Sequence, residues 1–184
     1  HRAALTVSQL ADSWLSDHVE PRRKAKTLHD YRGWVGRHIV PVIGSMRVSD
    51  VQVQDVEKIV RDLSNHPTTA NRVLAVISSM FTFAIRRHLV RDNPARGIEK
   101  NRERKRKRHL SAEELLRLGA VLLAAEERGD NRTGINAIRF LLFTGMRRGE
   151  VETFRWSFVD WQYGRVHLPD SKSGEKVLPI GQPA

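Results

Sequence analysis

Between Lys100 and Arg108 the chain reads Lys100-Asn101-Arg102-Glu103-Arg104-Lys105-Arg106-Lys107-Arg108, seven cations and one acid in nine residues. Like charges packed this densely repel one another and supply nothing to bury, so no hydrophobic core passes through the run. The chain is therefore expected to fold as two units: a first over residues 1–98, a basic linker over 99–109, and a second over 110–184. With 184 residues, of which 40% are apolar, each half has apolar material for a core. The chain contains no cysteine, so disulfides and thiolate zinc sites are excluded and packing must supply the stability.

The first unit shows apolar residues at three- and four-residue spacing, the signature of helices. Thr6 is placed as an N-cap ahead of Val7, Leu10 and Trp14. A second helix starts around Thr27, presents Leu28, Tyr31, Val35 and Ile39, and ends at Pro41 and Gly44. A third runs from about Gln54 to Leu63, and the longest starts near Thr68 and stops before Asn93-Pro94. Arg72, Arg86 and Arg87 fall on this last helix away from its apolar positions. In the second unit, Ser111 and Glu114 have capping-box spacing before Leu115, Leu116 and Leu118. Another helix spans about Gly134 to Phe143 and is broken by Gly145. The period then changes, and Arg165–Leu168 and Lys176–Ile180 read as two strands of an antiparallel hairpin turning near Ser173-Gly174.

Lys and Arg number 32 against 21 Asp and Glu, a net charge of +11, which favours a polyanionic partner through attraction and counterion release. Nucleic acid leads on this ground. No apolar run approaching the roughly 18 residues of a spanning helix is read, nor an apolar signal core near the start, which points away from membranes and toward a cytoplasmic protein. The chain opens on His1 rather than Met, as an excised or processed piece of something longer would.

The densest chemistry lies at Thr144-Gly145-Met146-Arg147-Arg148-Gly149-Glu150. A helix ending at Gly145 and restarting near Gly149 sets a guanidinium beside free backbone donors, an arrangement suited to an anion. Arginine's planar donors match two phosphate oxygens and stay charged at any ordinary pH. Glu150, three residues beyond Arg147, can accept from that guanidinium and fix its orientation. The same spacing also describes an ordinary glycine-broken junction with surface arginines and a capping glutamate. From the residues alone, both readings stand.

The run Phe140-Leu141-Leu142-Phe143-Thr144-Gly145-Met146-Arg147-Arg148-Gly149-Glu150-Val151, continuing through Arg155-Trp156-Ser157-Phe158-Val159-Asp160, resembles the first arginine box of the tyrosine recombinases, the phage integrase family. Asp170-Ser171-Lys172-Ser173-Gly174-Glu175-Lys176-Val177-Leu178-Pro179-Ile180 is similar to that family's β-hairpin carrying its lysine. The upstream helices, ending in Arg91-Asp92-Asn93-Pro94-Ala95, resemble its core-binding domain. The resemblance implies a mainly α chain: a four-helix, SAM-like core-binding domain, a basic linker, and the start of an α+β catalytic domain with a small hairpin.

By that resemblance Arg147 is a catalytic arginine on the scissile phosphate, Glu150 its support, and Lys172 the general acid for the departing 5′ oxygen. Without it, Lys172 would read as a solvated hairpin-tip lysine. The family's His/Lys-x-x-Arg box, its further His or Trp, and its nucleophilic tyrosine all lie C-terminal to the hairpin. Tyr31 and Tyr163 do not match the nucleophile's place, and His167 is assigned no role. The expected chemistry is a 3′-phosphotyrosyl exchange requiring no metal or nucleotide cofactor. The implied partner is double-stranded DNA, held by a homo-oligomer, a tetramer when full length. Arg72, Arg86, Arg87, Arg148 and the linker residues Lys105, Arg106, Lys107 and Arg108 are expected to bind DNA. The linker alternatively serves as a solvated tether. Two other functions remain in view: a non-catalytic DNA-binding regulator, and a basic RNA-binding protein. By itself, residues 1–184 are expected to be inactive.

Overall fold

The Thr6 hydroxyl accepts from the Gln9 N–H at 3.3 Å while the Gln9 side chain accepts from the Thr6 N–H at 3.0 Å, and this reciprocal cap starts helix α1, Val7–Trp14. The next two N–H groups of the first turn have no partner within the helix. Carbonyls from a later segment satisfy them: Val7 donates to Met46 and Ser8 to Gly44, each at 3.0 Å. Gly44 is close-packed at this point, because a Cβ there would lie 2.8 Å from the Ser8 Oγ and 2.4 Å from the Val40 carbonyl oxygen. In this computed structural model, described over residues 5–104, 107–171 and 174–181, the chain forms two compact units, His1–Arg106 and Lys107–Ala184.

Two helices of the first unit run on through a π-turn. α1 runs on through Leu15–Val19, where Glu20 N–H reaches back five residues to Leu15. α2, Ala25–Trp34, runs on through Val35–Ile39 into the short α3, Val40–Ile43. In each case a proline stands two residues beyond the π-turn, Pro21 and Pro41. A proline ring clashes with the carbonyl four residues earlier and leaves it without an N–H. The widened turn makes room, and at Pro21 the Arg22 guanidinium donates to the carbonyls of Asp17 and His18 at 2.9 and 3.2 Å. Of the two expected terminators, Pro41 is accommodated and Gly44 acts: the chain stays helical to Ile43 and Gly44 is its C-cap.

α4, Val53–Asp62, and α5, Pro67–Arg86, complete the unit. Its core holds Leu10, Trp14, Ile39, Ile43, Ile59, Ile77 and Met80, none more than 2% exposed. α5 corrects the sequence reading that no run is long enough to span a bilayer: by length and apolar composition this 20-residue helix is. Its composition has another cause. Ten of its residues are buried in the core of the first unit.

The buried Asn71 on α5 holds the start of the basic run. Its Oδ1 accepts from the Asn101 N–H, and its Nδ2 donates to the Asn101 carbonyl and to a Glu103 oxygen, all at 2.8 Å. The start of the basic linker is therefore pinned at Asn101. Asn71→Ala is expected to cost about 1–3 kcal/mol, because the half-buried backbone N–H and C=O of Asn101 lose their partners. Urea unfolding of the variant measures this, and an unchanged midpoint would show that the clamp contributes nothing.

In the second unit, Ser111 accepts from the Glu114 N–H at 3.2 Å and starts α6, Ala112–Glu127, at the expected place. α7, Arg132–Thr144, is capped by Asn131. A three-stranded antiparallel sheet follows in the order β1-β2-β3: Val159–Asp160, Arg165–Ser171 and Gly174–Pro179. The hairpin read from the sequence is thus the larger part of a sheet, since two residues are too few for β1 to show an alternating pattern. Met146, Val166 and Leu168 form the small buried core here. Leu116, Val121 and Leu123 of α6 stay more than half exposed.

Candidate functional site

α7 ends where Gly145 takes φ of 63°, a left-handed conformation that glycine adopts without strain. The next residue, Met146, is buried against Val166 and Leu168 of β2. Arg147 follows in extended conformation as the N-cap of α8, Arg148–Glu152, and Glu150 of that helix is buried again. The Arg147 backbone is thus fixed on both sides, while its guanidinium remains 51% exposed. The placement results from sequence: a glycine for the turn, a methionine for the anchor, and a cap for the restart.

Glu150 makes the site. One oxygen accepts from the Arg147 guanidinium at 2.8 Å and the other from the Arg147 backbone N–H at 2.9 Å. The hydrogen bond from the Arg147 backbone holds its carboxyl below the usual glutamate range, helped by the guanidinium and by Lys176, with burial opposing. Two backbone donors beside Arg147 are already engaged: the Arg147 N–H goes to Glu150, and that of Met146 goes to the Thr144 hydroxyl at 3.3 Å. The N–H groups of Arg148 and Gly149, in the first turn of α8, have no acceptor within that helix.

Lys176 is the residue that the sequence reading missed. It lies on β3 opposite Leu168, at an inward register position, and its Nζ stands 3.7 Å from the Glu150 carboxylate. A charge at a position where the strand alternation calls for an apolar residue was the available signal. Lys172, expected to be the general acid, lies outside the described residues, as do Lys105 and Arg106 of the linker.

The other cations sort by what already holds them. Arg72 and Arg86 are exposed on α5, fourteen residues apart. That spacing puts them on nearly one face, about 21 Å apart along the axis. Around Arg86 lies a groove of about 480 Å³ lined by His18, Ser78, Ser79, Thr82 and Lys100. Burial holds His18 below the usual histidine range, together with Arg22, Arg86 and Arg23. Arg87 is engaged within the unit, 2.7 Å from Asp17 and 4.4 Å above the Phe83 ring. Arg148 pairs with Glu152 at 3.2 Å on an open surface, an ion pair of small energy. Lys107 is exposed, and Arg108 bonds to Glu114. Tyr31 stacks on Trp14 at 5.4 Å, and Tyr163 lies under Arg165, so each tyrosine has a packing partner. His167 stands 3.9 Å from Asp160.

Residues 7–101, just over half of the chain, match the phage integrase central domain as a family. Among curated proteins, the prophage integrase IntZ of Escherichia coli K12 is 23% identical over 167 residues, covering 90% of this chain. A shufflon-specific DNA recombinase of Escherichia coli is 33% identical over 124 residues, 64% of this chain. The matched stretches span 41% and 31% of those two proteins. Among solved structures, a lambda integrase dimer bound to a COC′ core site superposes with a TM-score of 0.80 over 95% of this chain and 62% of its own, at 20% identity. A lambda integrase tetramer bound to a Holliday junction gives 0.79 over 95% of this chain and 51% of its own.

Proposed function

Because the chain belongs to the phage integrase family, whose central domain it carries over residues 7–101, we propose that it is the front part of a cytoplasmic site-specific recombinase that cuts and rejoins duplex DNA. The observation that carries this reading is Arg147, a half-exposed guanidinium on a backbone fixed by buried neighbours and oriented by a buried carboxylate. Phosphoryl transfer needs cationic donors positioned before charge develops on the phosphate oxygens, and a pre-oriented guanidinium meets that need with no reorganisation at the moment of reaction.

In this reading Arg147 binds the non-bridging oxygens of the scissile phosphate and Glu150 keeps it aimed. Lys172 gives its proton to the 5′ oxygen as the strand breaks. A tyrosine beyond the residues described attacks the phosphorus and remains bound as a 3′-phosphotyrosyl ester, and a 5′-hydroxyl later reverses the exchange. The reaction runs in a homotetramer on DNA. Residues 1–184 alone bind DNA without cutting it.

The first unit and the basic run hold the duplex. Arg72 and Arg86 lie along one face of α5, and the Asn71 clamp sets where the run departs from that helix. Arg87 serves the same surface through its packing on Phe83, and Arg148 stands beside the phosphate site. Neutralising Lys105, Arg106, Lys107 and Arg108 together is expected to weaken binding to any duplex sequence. The slope of log affinity against log salt should fall by about 0.9 for each phosphate that the run no longer neutralises. Filter binding of the 184-residue chain at several salt concentrations measures this; an unchanged slope would mean that the run does not lie along phosphates. The catalytic half is tested by trapping the full-length protein on nicked duplex DNA. A covalent 3′ adduct is expected, and DNA binding with no adduct would leave a non-catalytic regulator.

A further inference from the structure

We propose that Lys176 is a positioning residue for the strand-cleavage step: through Glu150 it keeps Arg147 aimed and its charge available to phosphate. The inference rests on the recombinase reading above. Its geometry is confined to the second unit, where one buried carboxylate faces three donors: the Arg147 guanidinium at 2.8 Å, the Arg147 N–H at 2.9 Å and the Lys176 ammonium at 3.7 Å.

Two physical consequences follow. An Arg147–Glu150 pair by itself is neutral, and a carboxylate that fully compensates a guanidinium reduces its attraction for an incoming phosphate. With Lys176 the cluster carries one net positive charge, so the guanidinium can serve both Glu150 and a phosphate. The second consequence is mechanical. Lys176 sits on β3 in register with the buried Leu168, whereas Arg147 sits at the start of α8. Glu150 therefore ties the strand to the helix start. A lysine only 28% exposed at an inward register position is costly to place unless it is paired, and among the described residues Glu150 is the acid that pairs with it.

The test uses Lys176→Met, which keeps the length of the side chain and removes its charge, and Lys176→Arg, which restores it. In the 184-residue chain, the Glu150 carboxyl followed by carbon NMR should titrate at higher pH in Lys176→Met than in the parent or in Lys176→Arg. This readout needs no cleavage, so it reports the ion pair even if the protein does not cut DNA. In the full-length protein, Lys176→Met should cleave at least tenfold more slowly, with most of the rate returned by Lys176→Arg. Adding Lys176→Met to Glu150→Gln should cause little further loss, because both act along one route.

The loss should also persist on DNA whose bridging 5′ oxygen is replaced by sulfur. A thiolate leaves without a general acid, so that substrate relieves defects in proton donation and leaves defects at the arginine. An unmoved Glu150 titration, parental cleavage by Lys176→Met, or full relief by the sulfur substrate would each overturn the proposal. Failure of the recombinase reading looks different: the parent protein itself would then form no covalent adduct, whatever the Glu150 titration shows.

Discussion

Full-length protein carrying Arg147→Ala is expected to bind its DNA and to cleave it at least 10²- to 10³-fold more slowly, the scale for losing one pre-oriented donor to a developing oxyanion. Binding survives because Arg147 is one cation on a chain of net charge +11. Folding survives because Glu150 keeps its bond to the residue-147 backbone N–H and its ion pair with Lys176. Arg147→Lys should recover little of the rate, since a point charge cannot replace two parallel donors. The measurement is the rate of covalent adduct formation at saturating protein, with affinity measured separately. Cleavage equal to that of the parent would remove Arg147 from the mechanism, and a parallel loss of affinity would make it a binding residue.

Local signals were the most legible part of the sequence. The caps at Thr6 and Ser111, the break at Gly145, and the strand pair around residues 165–180 are each determined by interactions within a few positions, and the fold has them at the expected places. The reach of Glu150 to Arg147 was legible for the same reason, being an interaction at three residues along one helix start. What escaped depends on distant partners. The π-turns before Pro21 and Pro41 each bury two apolar residues in the core of the unit, and the first is also bridged by Arg22. β1 exists because β2 pairs with it. Asn71, a polar residue in an apolar helix, has meaning only beside Asn101, thirty positions away. Lys176 meets Glu150 across the gap between strand and helix, twenty-six positions apart in the chain. Arg87 reads as a surface cation because Asp17, seventy positions earlier, is invisible to periodicity.

Trp14→Ala is expected to have the largest effect on stability, about 3–5 kcal/mol, because a large buried ring is removed and the surrounding helices collapse only partly into the space. Trp14 is fully buried where α1 meets its π-turn, and it stacks on Tyr31 of α2 at 5.4 Å with the rings within 12° of parallel. The same ring lies 6.5 Å from His18, which in turn lies against Phe83 of α5 at 5.8 Å. Trp14 therefore joins α1 to α2 and supports His18, which carries the contact on to α5, so its removal loosens α2 directly and α5 through His18. Small domains are stable by only about 5–15 kcal/mol, so a variant of the first unit would be largely unfolded by moderate warming. DNA affinity should fall with it, because Arg72 and Arg86 share a face only while α5 is held. Trp14→Phe, which keeps a ring in the site, should lose much less. Urea unfolding followed by circular dichroism, with duplex binding measured at the same temperatures, tests the chain of effects. A loss below about 1 kcal/mol for Trp14→Ala would mean that the site repacks and that α5 is held by other side chains.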